Sequence, residues 1–170
     1  MKAYFAGGCF WCVTPVYKML GADKVTSGFS GGNEENPSYE DVKNQKTGHR
    51  ETVMIDYDPE KLPYGVLLET FFANVDPFDP GGQFIDRGRS YTLAVYYTCE
   101  EEKKLAEDKI ELLEAETGRE VFVSVEPFSV FYEADEYHQD FYLKHPDEYE
   151  KEMNESGRMQ RLKGNGNGDR

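Results

Sequence analysis

Two thiols three residues apart define the chemistry open to this chain: Cys9 and Cys12, in the run Gly7-Gly8-Cys9-Phe10-Trp11-Cys12. The run follows a short strand-like segment, residues 3 to 6, and enters a helix-like stretch ending near Leu20. Two glycines let the backbone turn sharply and approach a ligand closely. The turn delivers Cys9 to a helix start, where free N–H groups and the dipole favour an anion. The expectation is a lowered thiol pKa and a nucleophilic sulfur. Phe10 and Trp11, the latter the only Trp of the chain, would line a pocket for a small apolar group. Cys12 can close a reversible disulfide with Cys9 or serve as a small core residue. An inert, buried Cys9 is the bland alternative.

A nucleophilic sulfur needs a base or acid beside it, and several residues qualify. His49 and His138 are candidate neighbours of Cys9, although an isolated His is more often structural. Glu51 stands at a turn-to-strand boundary, where burial would raise its pKa and make it an acid near neutral pH; an ordinary surface Glu is the competing reading. Asp86 lies in a loop between Gly82 and Gly88, either as a loop-organising acceptor or as a substrate contact. Tyr39 and Tyr91 are two phenols among 12, so position alone singles out neither. Cys99 opens a helix elsewhere and reads as structural.

Length and composition bound the rest. A chain of 170 residues suits one domain with a sizeable core. A formal charge of −14 argues against nucleic acid or an anionic membrane surface as partner. No basic-then-apolar leader and no membrane-length apolar run is seen. Three cysteines, an odd count, do not make a disulfide framework, so a reducing compartment, the cytoplasm, is expected. A single Cys-x-x-Cys without a second ligand pair argues against a metal site.

The elements that must position these residues follow from pattern. Residues 3–6, 25–29, 52–57 and 91–97 read as strands, with Val53, Ile55 and Tyr57 marking one buried face of the third. Residues 10–20 read as a helix carrying Val13, Val16, Tyr17 and Leu20 on one side. Pro15 fits if that helix starts near Cys12, and otherwise kinks it. Asn36 and Pro37 predict the N-cap and first position of a short helix. Pro63 starts another, striped by Leu67, Leu68, Phe71 and Phe72. Residues 76–90 form a long loop, a length that usually signals function or disorder. Thr98 is placed as the cap of a helix over 99–116 that Gly118 ends. Residues 121–125 and 129–132 look like paired strands, 135–142 and 146–153 like short helices, and the tail from Gly164 like a flexible end. The class expected is α+β: one domain over residues 1–163, a mixed sheet with packed helices, a ferredoxin-like core and long loops.

Taken in order, these segments resemble the peptide methionine sulfoxide reductase A family. The resemblance runs through Gly7-Gly8-Cys9-Phe10-Trp11, Gly28-Phe29-Ser30-Gly31-Gly32, Asn36-Pro37-Ser38-Tyr39, Thr47-Gly48-His49-x-Glu51, Tyr57-Asp58-Pro59, Asp86-Arg87-Gly88 with Tyr91, and Glu136-Tyr137-His138-Gln139. It implies reduction of the S epimer of methionine sulfoxide, free or in proteins, as protein repair. It further implies Cys9 as nucleophile, Glu51 as proton donor, Tyr39 and Tyr91 as hydrogen-bond donors to the sulfoxide oxygen, Phe10 and Trp11 around the S-methyl group, and Asp86 as a substrate-positioning acid. Methionine leaves and Cys9 becomes a sulfenic acid. Many relatives carry Gly in place of Cys12 and a resolving cysteine in the tail; this tail has none. Cys12 is therefore the leading resolving residue, with thioredoxin or another dithiol as external reductant and no bound cofactor. Cys99 or an external thiol are the alternatives. Thr92 stands where relatives often carry Arg. A thioredoxin-like dithiol–disulfide exchanger is the second reading; it accounts for the two cysteines but not for Glu51, the two phenols or the Phe-Trp pair. An aromatic-lined peptide-binding module is the third.

Overall fold

The computed structural model describes residues 1–156 and 158. Among the described residues eight strands and six α-helices follow one another: β1 (Lys2–Gly7), α1 (Phe10–Leu20), β2 (Lys24–Ser30), α2 (Tyr39–Lys43), β3 (Arg50–Asp56), α3 (Tyr64–Ala73), β4 (Gly82–Gln83), β5 (Asp86–Arg87), β6 (Leu93–Tyr97), α4 (Glu100–Thr117), β7 (Val123–Pro127), β8 (Tyr132–Glu133), α5 (Phe141–Lys144) and α6 (Pro146–Ser156). Six strands make one sheet in the order β7-β6-β1-β3-β2-β8, while β4 and β5 form a separate small ribbon. The central order β6-β1-β3-β2 is antiparallel throughout and has the connectivity of a ferredoxin-like β-α-β-β-α-β core. Only β7 joins in parallel, beside β6, which makes the sheet mixed. The expected α+β class holds.

The sheet is covered on both faces. Period-two alternation sends Ala3, Phe5, Val53, Ile55, Leu93 and Val95 toward α1 and α3, where they meet Phe10, Val13, Tyr17, Leu67, Leu68, Phe71 and Phe72. The intervening residues Tyr4, Ala6, Ala94 and Tyr96 form a second cluster under Phe128 and Phe131. The β3 strand is thus buried on both sides near its start, where the sequence promised one buried face: Arg50 and Thr52 lie as deep as Glu51. The Arg50 guanidinium is accommodated there by Thr92 Oγ1 at 2.8 Å, the Tyr96 hydroxyl at 3.0 Å and Glu126 Oε2 at 2.6 Å.

Several boundaries move for physical reasons. The α1 helix starts at Phe10, so Pro15 lies inside it. The neighbouring Thr14 hydroxyl donates back to the Phe10 carbonyl at 2.8 Å. Ser38, not Asn36, caps α2, because its hydroxyl can accept from Asp41 N–H at 3.1 Å; Asn36 turns the chain with φ +46°. Cys99, not Thr98, is the cap position of α4; Thr98 instead gives its N–H and hydroxyl to Glu102, whose carboxylate reaches back from the first turn. Residues 76–90 contain the β4–β5 ribbon, and Tyr91 ends a 3₁₀ turn, Arg89–Tyr91, before β6 begins. Residues 121–127 and 129–133 do not pair with each other: β7 sits beside β6 and β8 beside β2, at opposite edges. Residues 135–142 split into a 3₁₀ turn, Glu136–His138, and α5. The tail from Gly164 lies outside the described residues.

Gln139 locks the edge of this architecture. Its carboxamide accepts from Ser27 N–H at 2.9 Å and donates to the Ser27 and Ala134 carbonyls at 2.9 and 2.8 Å. It thereby ties the chain after β8 to β2 at a point with no access to water. Gln139→Ala strands the Ser27 N–H and the Ala134 carbonyl, the Ser27 carbonyl keeping the Ala134 N–H at 2.9 Å, and is expected to cost about 2–4 kcal/mol. Urea unfolding measures this; a loss below about 1 kcal/mol would show that the backbone finds other partners.

Candidate active site

The register of β1 decides which residues meet. Phe5 lies opposite Val53 of β3 on one side and Val95 of β6 on the other. Both neighbours run antiparallel, so the exit of β1 lies beside their entries. Gly7 faces Leu93, and continuing the β1–β3 register by two residues brings Gly7 level with Glu51. Cys9, Glu51 and Tyr91 therefore share one end of the sheet by construction. The turn that delivers Cys9 needs Gly8, whose φ is +89° and whose missing Cβ would lie 2.9 Å from the Gln83 side chain. Gln83 is itself fixed by Asp76, accepting from its N–H at 2.8 Å and donating to its carbonyl at 2.9 Å.

Cys9 occupies the N-cap position of α1. The first free amide of the helix does not serve the thiol, however. Phe10 N–H donates to Glu51 Oε1 at 3.1 Å, and Cys12 N–H turns back to the Cys9 carbonyl at 3.1 Å. The neighbouring Cys12, to which Cys9 donates, then burial, and then the Glu51 and Asp86 carboxyls push the Cys9 thiol up. Cys12 moves the other way, because it accepts the bond from Cys9 and feels the Arg158 charge. The lowered Cys9 pKa anticipated from the helix start is thus replaced by a shared arrangement. The two thiols ionise as a coupled pair, so the first ionisation belongs to the pair.

Glu51 is 1% exposed. Burial outweighs the Phe10 amide, and its pKa is pushed up to about 8. The Tyr91 hydroxyl nearby pulls weakly in the opposite direction. At neutral pH the carboxyl is therefore mostly protonated. Its Oε2 has no hydrogen-bond partner although it is buried, which leaves an acid O–H free to donate. Tyr39 and Tyr91 feel both Glu51 and Cys9 and stay neutral, their phenols pushed far up by burial. Asp86, on β5, is raised to about 6 by burial and by Glu152.

An aromatic wall closes the other side. Trp11 stacks on Phe141 at 3.9 Å and lies parallel to Tyr39 at 6.0 Å. Phe10 is deeper, against Phe29, Tyr39 and His138, so Trp11 forms the open surface and Phe10 its floor. His138 accepts from Trp11 Nε1 at 3.3 Å and stacks on Tyr39 at 4.1 Å; burial lowers its pKa. It positions two aromatics rather than activating Cys9. His49 is fully buried, its ring nitrogens meeting Gly32 N–H and the Glu34 carbonyl. Neither His acts as a base for the thiol. Cys99 is exposed, beside Met1 and Tyr57. It sits at the opposite end of β1 from Cys9, about 20 Å away along six strand residues.

Three contributors escaped the sequence reading. Met153 of α6 packs against Cys9, Cys12 and Tyr91, Tyr149 senses both thiols, and Arg158 donates to the Gly7 and Asn74 carbonyls at 3.1 and 2.7 Å. Nothing local marks them; they reach the site because α6 returns across α1. Among the described residues no cluster of His, Cys, Asp or Glu is placed to hold a metal ion, and no helix is long and apolar enough to cross a membrane.

A family model described as peptide methionine sulfoxide reductase matches residues 1–168. The peptide methionine sulfoxide reductase MsrA of Bacillus velezensis is 48% identical over 161 residues, 92% of this chain and 90% of that one. The enzyme of the same description from Bacillus subtilis is 48% identical over 160 residues, with 92% and 90% coverage. The crystal structure of reduced Mxr1 from Saccharomyces cerevisiae superposes with a TM-score of 0.80 at 27% identity, covering 86% of each chain. These matches do not favour a thioredoxin-like exchanger.

The raised Glu51 pKa has a consequence for stability. Between the unfolded value, about 4.3, and the folded value the unfolded chain releases a proton that the folded chain keeps. Stability from this group is complete at low pH and is lost as pH rises toward 8, by an amount on the order of a few kcal/mol. Glu51→Gln removes that dependence. Its melting temperature is expected to fall less than that of the unmodified protein between pH 5 and pH 8 (about those values, set by the two pKa limits). Parallel pH curves would mean the carboxyl is ionised in the folded state.

Proposed function

The chain belongs to the peptide methionine sulfoxide reductase family, and on that premise we propose that Cys9, Glu51, Tyr39 and Tyr91 reduce the S epimer of methionine sulfoxide in peptides or as the free amino acid. The observation that carries the assignment of roles is the neutral Glu51 carboxyl with an unpartnered buried oxygen, within electrostatic reach of Cys9 and both phenols. A sulfoxide sulfur is a poor electrophile, and its oxygen must gain a proton to leave.

Trp11, over its Phe10 floor, receives the S-methyl group. The Tyr39 and Tyr91 hydroxyls and the Glu51 O–H converge on the oxygen. Asp86 orients the substrate from the loop side. Cys9 passes its proton toward Cys12 as its sulfur attacks. Glu51 protonates the oxygen, which passes to Cys9 Sγ as its S–O bond to methionine and the transient bond between the two sulfurs break. The products are methionine and Cys9 sulfenic acid, with the oxygen now on Cys9. Cys12 then attacks Cys9 Sγ, forming a disulfide and releasing water. An external dithiol such as thioredoxin takes the disulfide back to two thiols. This cycle needs no bound cofactor; its dithiol is the kind a reducing compartment such as the cytoplasm supplies, and residues 1–163 are taken as the catalytic unit.

Glu51→Gln is expected to slow single-turnover reduction by about 10²- to 10⁴-fold. In the unmodified protein the rate should fall as pH rises through about 8, because Glu51 loses its proton; that alkaline limb should vanish in Glu51→Gln. Stopped-flow or quenched-flow yields of methionine read both effects, and an unchanged rate removes Glu51 as the acid. Cys12→Ser should still release one methionine per chain and then stall with a trappable sulfenic acid at Cys9. Continued turnover with thioredoxin at the normal rate would rule out Cys12 as the resolving thiol.

A further inference from the structure

The residues that close the site from the C-terminal side include one whose chemistry matches the substrate. Met153 of α6 packs against Cys9, Cys12 and Tyr91, beside Trp11, in the same small cluster. Its thioether therefore occupies the neighbourhood to which the reaction brings a methionine sulfoxide. The helix is held there by more than this one contact. Tyr149, one turn earlier, lies close enough to feel both thiols. Glu152 acts on Asp86 and Cys12. Beyond the helix end, Arg158 fastens to the carbonyls of Gly7 and Asn74 and lies over the Phe84 ring. Met153 is only half-buried, so a small oxidant reaches it from solvent.

We propose that Met153 is a substrate of its own chain: once oxidised to the sulfoxide by a peroxide, it is reduced by the Cys9 beside it. This rests on the reductase reading above. Oxidation transfers one oxygen from the peroxide to the Met153 sulfur and leaves water. In the reduction, Cys9 Sγ loses its proton and bonds to the sulfoxide sulfur, the oxygen gains a proton, and it then passes to Cys9 Sγ as the S–O bond to Met153 and the transient S–S bond both break, leaving the thioether and Cys9 sulfenic acid. Cys12 displaces that oxygen as water and closes the disulfide. Two thiols are oxidised, one sulfoxide is reduced, and an external dithiol restores the pair. A polar sulfoxide in this apolar cluster would loosen α6, so the reaction restores the wall of the site that performs it. Because the sulfoxide is tethered against the cluster that holds Cys9, the reaction does not depend on collision between molecules.

The test follows individual methionines by mass spectrometry. The full chain and Cys9→Ser are oxidised with hydrogen peroxide, quenched, and given dithiothreitol at two protein concentrations about tenfold apart. A parallel aliquot of the same sample receives an acetylated methionine-sulfoxide peptide. The S epimer at Met153 should disappear from the full chain at a rate independent of protein concentration. Sulfoxide at the exposed Met1 and Met19, 65% and 87% accessible, should disappear in proportion to concentration. Cys9→Ser should keep all three. The proposal is overturned if Met153 sulfoxide persists while the peptide is reduced, if its loss scales with concentration, or if peroxide leaves Met153 unoxidised in Cys9→Ser. Failure to reduce the peptide as well would overturn the reductase reading itself.

Discussion

One hydrogen bond organises the site: the Phe10 amide on the Glu51 carboxyl. It joins the first residue of α1 to the second residue of β3, 41 positions apart, at the end of the sheet where β1 exits. A helix start offers its free amides to whichever anion reaches them first. Here the carboxyl of Glu51 takes the amide, and the thiol of Cys9 does without it. Burial then overrides the amide, so the carboxyl remains an acid near pH 7. Had the same amide served Cys9, the nucleophile would have been a settled anion, stable and correspondingly less reactive. The Glu51 carboxyl, without the amide that lowers its pKa, would have become a still weaker acid and a poorer proton donor.

The aromatic residues serve that electrostatic arrangement. Water in the site would solvate Glu51 and return its pKa toward the ordinary range. Trp11, Phe141, Tyr39 and His138 form a continuous stack that keeps it out on one side. His138 stays neutral through burial, which preserves its lone pair for Trp11 Nε1. A protonated His138 would both lose that acceptor and place a cation beside the phenols. From the other side Met153 and the Arg158 anchor complete the cover. The low dielectric of the site is thus assembled from four separate chain segments.

The sequence made the centre of this site readable because its determinants are local. A strand, two glycines and a helix start around Cys9 are decided within a dozen residues, and Glu51 sits at a visible turn-to-strand edge. The Leu67, Leu68, Phe71 and Phe72 stripe and the Gly118 stop are equally local. What was misread depended on partners distant in the chain. Residues 121–133 carry strand composition, but only the sheet order shows that their two halves pair with different edges. The direction of the Cys9 pKa required knowing that its thiol meets Cys12 and is buried, with Glu51 and Asp86 from other elements beside it. Met153 and Arg158 have no motif, since their relevance arises from the path of α6 after all the recognisable segments have ended.

Rearrangement cost favours Cys12 over Cys99 as the thiol proposed to resolve Cys9. Residues i and i+3 at a helix start hold their Cα atoms about 5–6 Å apart, inside the range a disulfide spans. Cys9 and Cys12 pack in one cluster and shift each other's ionisation, so bond formation asks for a change of rotamer and little else. Cys99 lies at the far end of β1 and caps α4. Bringing it to Cys9 would require breaking the β1–β6 ladder, where Phe5, Val95 and Leu93 form the middle of the core. Each of those side chains contributes about 1.5–3 kcal/mol by burial, so unzipping the strand costs several times what a rotamer change does. A route through Cys99 would have to unfold part of the sheet that holds Glu51 in place.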